Sequence, residues 1–448
     1  MSLLHHKESS SQRPHKIGLL TSVFLVASVM IGNGIYTSLG IQLMSIPSGF
    51  GILVLWTLAG IVALCGALSY AEIASYLPHS GGDYYYLAHI YHPAIGTMAG
   101  IITLLAGFVA PIALASMAFG KYFQDFFPGV PPMLSSMLLV TIITIAHLLH
   151  WNVSVLFQNT LTILKFVLIA GIIVSGFYYT SLSPKILLPS KRAFQELLEP
   201  TSGVVLLFCF YAYSGWNSSV YIADDIISSR KTVGWSLVIG TLLVILLYLL
   251  LNTIFLLAAP ISALRGTLNV GTIVATHLVG PVGGRFMAGL IAIGLVSGIS
   301  GMIWIGPRMT QAMGRDLVAL RWLSPVSRNH VPIRSTLLQY LLVLVVLATG
   351  SFKAVLVTTQ VPIIFCSLLG VMGLIVLRQR HLKMETGTSL SPHRGFQCPL
   401  YPLPSLCFAL LSLLALIYTI ITNPLEAGIG GLIILGALGC YPILKKKN

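Results

Sequence analysis

The sequence predicts an all-α integral membrane protein with twelve transmembrane helices, and three observations carry that prediction. Of 448 residues, 56% are hydrophobic and 8% charged, about a third of the roughly 25% found in a soluble domain. Apolar stretches of spanning length, roughly 20 residues, recur from Ile17 almost to Leu444. Prolines, glycines and charges divide those stretches at regular intervals. So little charge cannot cover a soluble surface of this size. A soluble enzyme, a secreted domain and a nucleic-acid binder are therefore excluded, despite a net charge of +14. The lipid bilayer is the expected surrounding.

In order, the first sixteen residues form a polar tail with His5, His6, Lys7, Arg13 and Lys16. The apolar run that follows is too long for a signal-peptide core and lacks a small-residue cleavage site, so it counts as a span. The predicted helices are 17–45, 48–76, 93–122, 131–150, 154–182, 200–227, 233–258, 280–313, 333–350, 355–379, 402–421 and 425–444, with a basic tail at 445–448. Sixteen Lys and Arg fall in segments on the side of the N-terminus and seven on the other side, with Lys165 and Arg308 inside spans. Positive charge accumulates on the cytoplasmic side, so both termini are expected there, in a plasma membrane. These cations set topology and meet anionic lipid; they do not call for an acidic substrate.

Cys65, Cys209, Cys366, Cys398, Cys407 and Cys440 show no metal-ligand spacing, and four lie in apolar runs where a thiol packs as a small hydrophobe. No disulfide framework, metal site or cofactor is expected. Glu72, Asp83, Asp224 and Asp225 all fall at span ends, leaving no carboxylate expected at mid-membrane. A cluster of His, Asp and Glu within the spans is missing too, which argues against an enzyme.

Two spans are interrupted. The first contains Ile31-Gly32-Asn33-Gly34-Ile35 and the sixth Phe210-Tyr211-Ala212-Tyr213-Ser214-Gly215-Trp216-Asn217. Glycine weakens a helix by about 1 kcal/mol relative to alanine, and small residues also serve ordinary helix packing. Yet paired interruptions at matching positions of two repeats point to a transporter's binding site. Unwound backbone cannot stay unpaired in hydrocarbon, but it can face a polar ligand. A half-helix N-terminus favours a carboxylate and freed carbonyls favour an ammonium, so the pair suits a zwitterion.

Four stretches carry a family resemblance: Gly32-Asn33-Gly34-Ile35-Tyr36; Gly66-Ala67-Leu68-Ser69-Tyr70-Ala71-Glu72 with Leu77-Pro78-His79-Ser80-Gly81-Gly82-Asp83-Tyr84; Tyr211-Ala212-Tyr213-Ser214-Gly215-Trp216-Asn217; and Met313-Gly314-Arg315-Asp316-Leu317. Together they resemble the amino acid–polyamine–organocation (APC) superfamily, in particular its LAT-like (L-type amino acid transporter) branch in a bacterial-type form. The resemblance implies the LeuT fold: a 5+5 inverted repeat over 17–182 and 200–379, then two peripheral helices at 402–444. It implies secondary active transport of amino acids by alternating access, by exchange or H⁺ symport. The substrate carboxylate would meet the backbone of Gly32, Asn33 and Gly34, beside Ile31 and Ile35. Its ammonium would meet carbonyls around Phe210, Tyr211 and Tyr213, beside Ala212, Ser214 and Gly215. Tyr211 would be the gate, and Asn217 and Trp216 would line or brace the pocket.

Lys165 lies in the fifth span, where a cation costs about 2.5–3.5 kcal/mol on insertion scales. It could snorkel to the headgroups. The resemblance implies instead that its ammonium stands in for a coupling Na⁺, held by first-helix carbonyls near Gly34 and by Ser297 or Ser300, which gives Na⁺-independent transport. Asn33, Leu39 and Tyr211 depart from the family pattern and blur the substrate. No Cys lies in the Gln124–Pro132 loop, so no glycoprotein heavy subunit is expected. His147, His150 and His277 read as interfacial, Arg308 as a structural cation near the inner end, and Trp56, Trp151 and Trp235 as interface anchors. The alternatives are a polyamine or amine carrier, which would want a midplane carboxylate, and a non-transporting amino acid sensor.

Overall fold

In the computed structural model, residues 16–32, 34–149, 151–179, 184–267, 269–349, 352–385 and 395–445 are described. The tail 1–15, Asn33, His150 and residues 446–448 lie outside them. Among the described residues every extended element is helical apart from a single bridge between Ile17 and Ile226. Among the described residues ten helices are long and apolar enough to cross a membrane, and eleven if the pair Lys191–Leu198 and Thr201–Asp225, bent by 80°, is one span. The expected count of twelve is thus reached only in part. The ninth segment, Ile333–Thr349, has 17 residues; at about 1.5 Å per residue it falls short of a hydrocarbon core about 30 Å thick.

The boundaries differ where capping and helix breaks decide them. Ser48 starts the second span by accepting a hydrogen bond from Gly51 N at 3.2 Å. Helical residues run over Val270–Asp316, but Gly280 at φ 81°, just before Pro281, is a non-helical kink between two helices, so the second of them starts where the eighth span is expected to begin, and a further helical segment precedes it. Ser190 caps an unexpected helix, Lys191–Leu198. The third span, Pro93 to Phe126, carries a π-helical turn at Thr103–Val109. Pro111 has no N–H, so the carbonyl of Gly107 loses its usual donor and the ladder widens there. Between the second and third spans lies a short loop helix, Gly82–Ile90.

Both interruptions are real breaks. The first span divides into Leu19–Met30 and Gly34–Ser45. The sixth divides into Thr201–Tyr213 and a 3₁₀ segment, Ser218–Asp225, joined by a turn with Gly215 at φ 95°. Ile17 N donates to Asp225 O at 2.9 Å and Ile227 N to Ile17 O at 3.0 Å. These bonds fasten the start of the first span to the end of the sixth on what is here termed the N-terminal face. Buried residues from all these spans merge into one large core.

Several side chains contradict their expected surroundings. Trp56 is fully buried, not interfacial: its Nε1 donates to Gln42 Oε1 at 2.9 Å and its ring meets Tyr213 and Tyr248. His147 is buried as well, whereas His277 is exposed. The side chain of Trp151 lies outside the description; Trp235 is half-exposed. All six cysteines are free.

Candidate functional site

The two breaks cross in contact. A Cβ built on Gly34 would lie 2.8 Å from Ala212 Cα, so only glycine lets the backbones meet. Around the crossing is a cavity of about 80 Å³. Gly32, Gly34, Tyr211, Ala212, Ser214, Gly215, Trp216 and Asn217 line it from the breaks. Opposite them stand Thr103, Gly107 and Phe108 of the π turn, with Leu295, Gly298 and Met302 of the eighth span. The π turn was missed in the sequence; its signal was Gly107 four residues before Pro111. Ser214, Trp216, Ile363 and Ser367 also border a side pocket of about 50 Å³.

Not every predicted residue joins the central cavity. Phe210 and Tyr213 line the side pocket instead. Ile35 is fully buried away from both, and Ile31 contributes its carbonyl elsewhere. Asn33 lies outside the described residues. The backbone is also more fully paired than expected: Gly32 N donates to Met30 O at 2.8 Å, and Ser214 N to Tyr211 O at 3.1 Å. What remains for an anion is the first turn of the helix that opens at Gly34, whose N–H groups have no intrahelical acceptor and carry the positive end of its dipole.

Tyr248 of the seventh span was not anticipated. Its hydroxyl stands between Met30 O at 2.6 Å and Ala212 O at 3.0 Å, offering its proton to both broken ends. A buried tyrosine needs such a partner, but nothing local in Leu247-Tyr248-Leu249 announces which.

Lys165 is 1% exposed, which rules out snorkelling to the headgroups. Its Nζ donates to Ser28 O at 2.9 Å and Ile31 O at 2.6 Å. The acceptors are first-span carbonyls, as expected: Ile31 stands in the break three residues before Gly34, and Ser28 in the last turn of the half-helix that ends at Met30. Among the described residues no carboxylate pairs with it. Ser297 is one step removed: its Oγ lies 2.9 Å from Ser28 Oγ and 3.2 Å from Thr162 Oγ1. Gln158 Nε2 completes the group, donating to Ser28 Oγ at 2.7 Å and Ser297 O at 3.2 Å. Gln158, Thr162 and Lys165 recur at i, i+4 and i+7, one helix face, a legible signal that was not used. Ser300 does not serve Lys165; its Oγ lies 2.9 Å from His147 Nε2. Fifth, first and eighth spans are thus fastened at one polar knot inside the core.

Asp83, expected at a span end, brings a carboxyl group to the cavity lining. It belongs to the loop helix, is 3% exposed and lines the central cavity. Desolvation by burial raises its pKa. Its two oxygens receive Tyr70 Oη at 2.6 Å and Tyr221 Oη at 2.8 Å. Arg308 pairs with Asp225 at 2.9 Å, the structural cation foreseen for it. Glu72 is buried and receives Arg378 through two bonds of 2.7 Å. On the opposite face a vestibule of about 680 Å³ opens among Thr37, Ala118, Tyr122, Asp125 and Asn269. No group of three or more His, Cys, Asp or Glu is placed to hold a metal among the described residues.

The chain is similar to known proteins over most of its length. The chain is 26% identical over 442 residues to the human cystine/glutamate transporter, covering 96% of this chain and 85% of that protein. It is 24% identical over 448 residues to the serine/threonine exchanger SteT of Bacillus subtilis, covering 97% of each. It is 27% identical over 310 residues to the mouse large neutral amino acids transporter small subunit 2, covering 67% of this chain and 58% of that one. These relatives are transporters, not enzymes. A family model described as amino acid permease matches residues 17–437, and with two broken helices meeting at a buried cavity in a multi-pass helical protein, the chain belongs to the amino acid permease family of the APC superfamily.

Proposed function

We propose that this protein is a secondary active transporter that carries amino acids by alternating access. The observation that carries the reading is the contact of Gly34 with Ala212, which brings both helix breaks to one cavity. In this reading the fold is the LeuT fold of twelve helices, with inverted repeats over 17–182 and 200–379 and a peripheral pair over 402–444. The tails 1–16 and 445–448 are cytoplasmic, in the plasma membrane. The helix opening at Gly34 takes the substrate carboxylate, with Gly32 and Asn33 beside it. Tyr211 gates the cavity, and Ser214, Gly215 and Asn217 form its wall. The α-ammonium lies against the sixth-span break.

Lys165 occupies the place of a coupling cation, with Ser297 in the same knot, so transport is Na⁺-independent and runs by exchange or H⁺ symport. The relatives named as amino acid exchangers or transporters support the substrate class. The chain works without a glycoprotein subunit, since the Gln124–Pro132 loop has no Cys. A carrier of polyamines would use a free carboxylate, and both oxygens of Asp83 are taken by tyrosines. A sensor would bind without flux. Uptake of labelled amino acids into proteoliposomes, with and without internal amino acid and a pH gradient, tests the proposal. Accelerated uptake into loaded vesicles is expected for exchange. No flux for any of the twenty amino acids overturns it.

A further inference from the structure

The N-terminal face and the opposite face of the cavity are built differently. On the opposite face the large vestibule begins one helical turn beyond the cavity, at Thr37 after Gly34 and at Ala118 after Ala115. On the N-terminal face Asp83, Ser218 and Tyr221 line the cavity and are themselves buried. The loop helix that carries Asp83 packs chiefly against the third and tenth spans. The hydrogen bonds that Asp83 itself receives come from elsewhere: from Tyr70 of the second span and from Tyr221 of the sixth, while Tyr84 of the same helix donates to Asp316 at 2.8 Å. Asn217 Nδ2, in the sixth-span turn, is 3.5 Å from the same Oδ2 and 3.4 Å from Tyr221 Oη. Among the described residues no Lys, Arg or His pairs with the carboxylate. Three neutral donors from two other elements therefore converge on one buried carboxyl group.

We propose that Asp83 is a positioning residue, a clasp that holds the second and sixth spans against the loop helix and keeps the cavity closed on the N-terminal face. Such hydrogen bonds are strongest where water is excluded. Opening that face must separate Tyr221 and Asn217, which line the cavity, from Asp83. The clasp thereby sets how often the site faces the N-terminal side, and so the apparent affinity seen from each side. The second and third bonds also fix the turn after Gly215, so the clasp reaches the substrate wall without touching substrate. This inference rests on the alternating-access reading above.

The test uses the full-length protein in lipid nanodiscs and two substitutions, Asp83→Asn and Tyr70→Phe, singly and together. Tyr70 does not line the cavity, and its substitution removes one hydroxyl only. Hydrogen exchange is expected to quicken roughly tenfold over residues 217–226 and 82–90, with residues 132–149 unchanged. The double variant should exchange no faster than Asp83→Asn, because both remove the same clasp. In oriented vesicles the half-saturating substrate concentration should fall on the N-terminal face and rise on the other. Unchanged exchange in both single variants, a uniform rise along the chain, or half-saturation moving the same way on both faces overturns the clasp. Absence of flux in the wild type sinks the transport reading instead, and exchange still decides the clasp.

Discussion

Replacing Lys165 with methionine separates what this residue does for stability from what it does for function. The ammonium makes two bonds to carbonyls, at 2.9 and 2.6 Å. At about 1.5–3 kcal/mol for a bond involving a charged group, they hold the end of the first half-helix by about 3–6 kcal/mol. Burying the cation costs about 2.5–3.5 kcal/mol, with no paired carboxylate to offset it. The two terms nearly cancel, so Lys165→Met is expected to lose only about 0–3 kcal/mol of stability. Methionine fills the space of the stem but leaves the carbonyls of Ser28 and Ile31 without their donor, and the break loses its anchor to the fifth span. Exchange in proteoliposomes should then fall at least tenfold while the thermal midpoint in detergent moves only a few degrees. Sodium should not alter the wild-type rate. If Lys165→Met or Lys165→Ala exchanges within twofold of the wild type, the anchoring argument is wrong.

Three further outcomes are expected. Tyr248→Phe removes the hydroxyl between Met30 O and Ala212 O; substrate affinity by thermal shift should weaken roughly tenfold, the equivalent of one bond of about 1.4 kcal/mol. Glu72→Gln leaves Arg378 without its two-point partner and Cys398 N without a charged acceptor; because Arg378 is partly exposed, the loss should be about 2 kcal/mol, below the 3–5 kcal/mol of a fully buried pair, read as a lowered melting temperature. The hydrogen bond that His79 Nδ1 donates to the Asp224 carboxylate at 3.3 Å raises the pKa of His79 above its usual value; its contribution is full below the unfolded value, about 6.5, and is lost as pH rises through the higher folded value. NMR titration should show that elevation vanish in Asp224→Asn, and an unmoved midpoint would contradict the pairing.

The span pattern was legible because apolar length is a property of consecutive residues. The breaks were legible because Gly32 to Gly34 and Ser214 to Asn217 interrupt that pattern locally. Lys165 stood out because a cation inside a span is costly wherever its partner lies. Its partners were harder: Ser28 and Ile31 accept the bonds and Ser300 turns to His147, because a fifth-span side chain meets whichever first-span carbonyl the packing angle presents. Trp56 and His147 were misplaced for the same reason. Their position along the chain suggested an interface, while neighbouring spans bury both.

Composition and local pattern by themselves determined the membrane class, the order of the helices and the location of both breaks, since each depends on residues close in sequence. Tertiary structure alone decided that the breaks touch at Gly34 and Ala212, that Tyr248 joins them, and that Asp83, read as a boundary residue, reaches the cavity lining. The physical reason is reach across the chain: Asp83 and Tyr221 are 138 residues apart in sequence and 2.8 Å apart in space, and a buried carboxyl group persists there only because folding brings donors from two other elements around it.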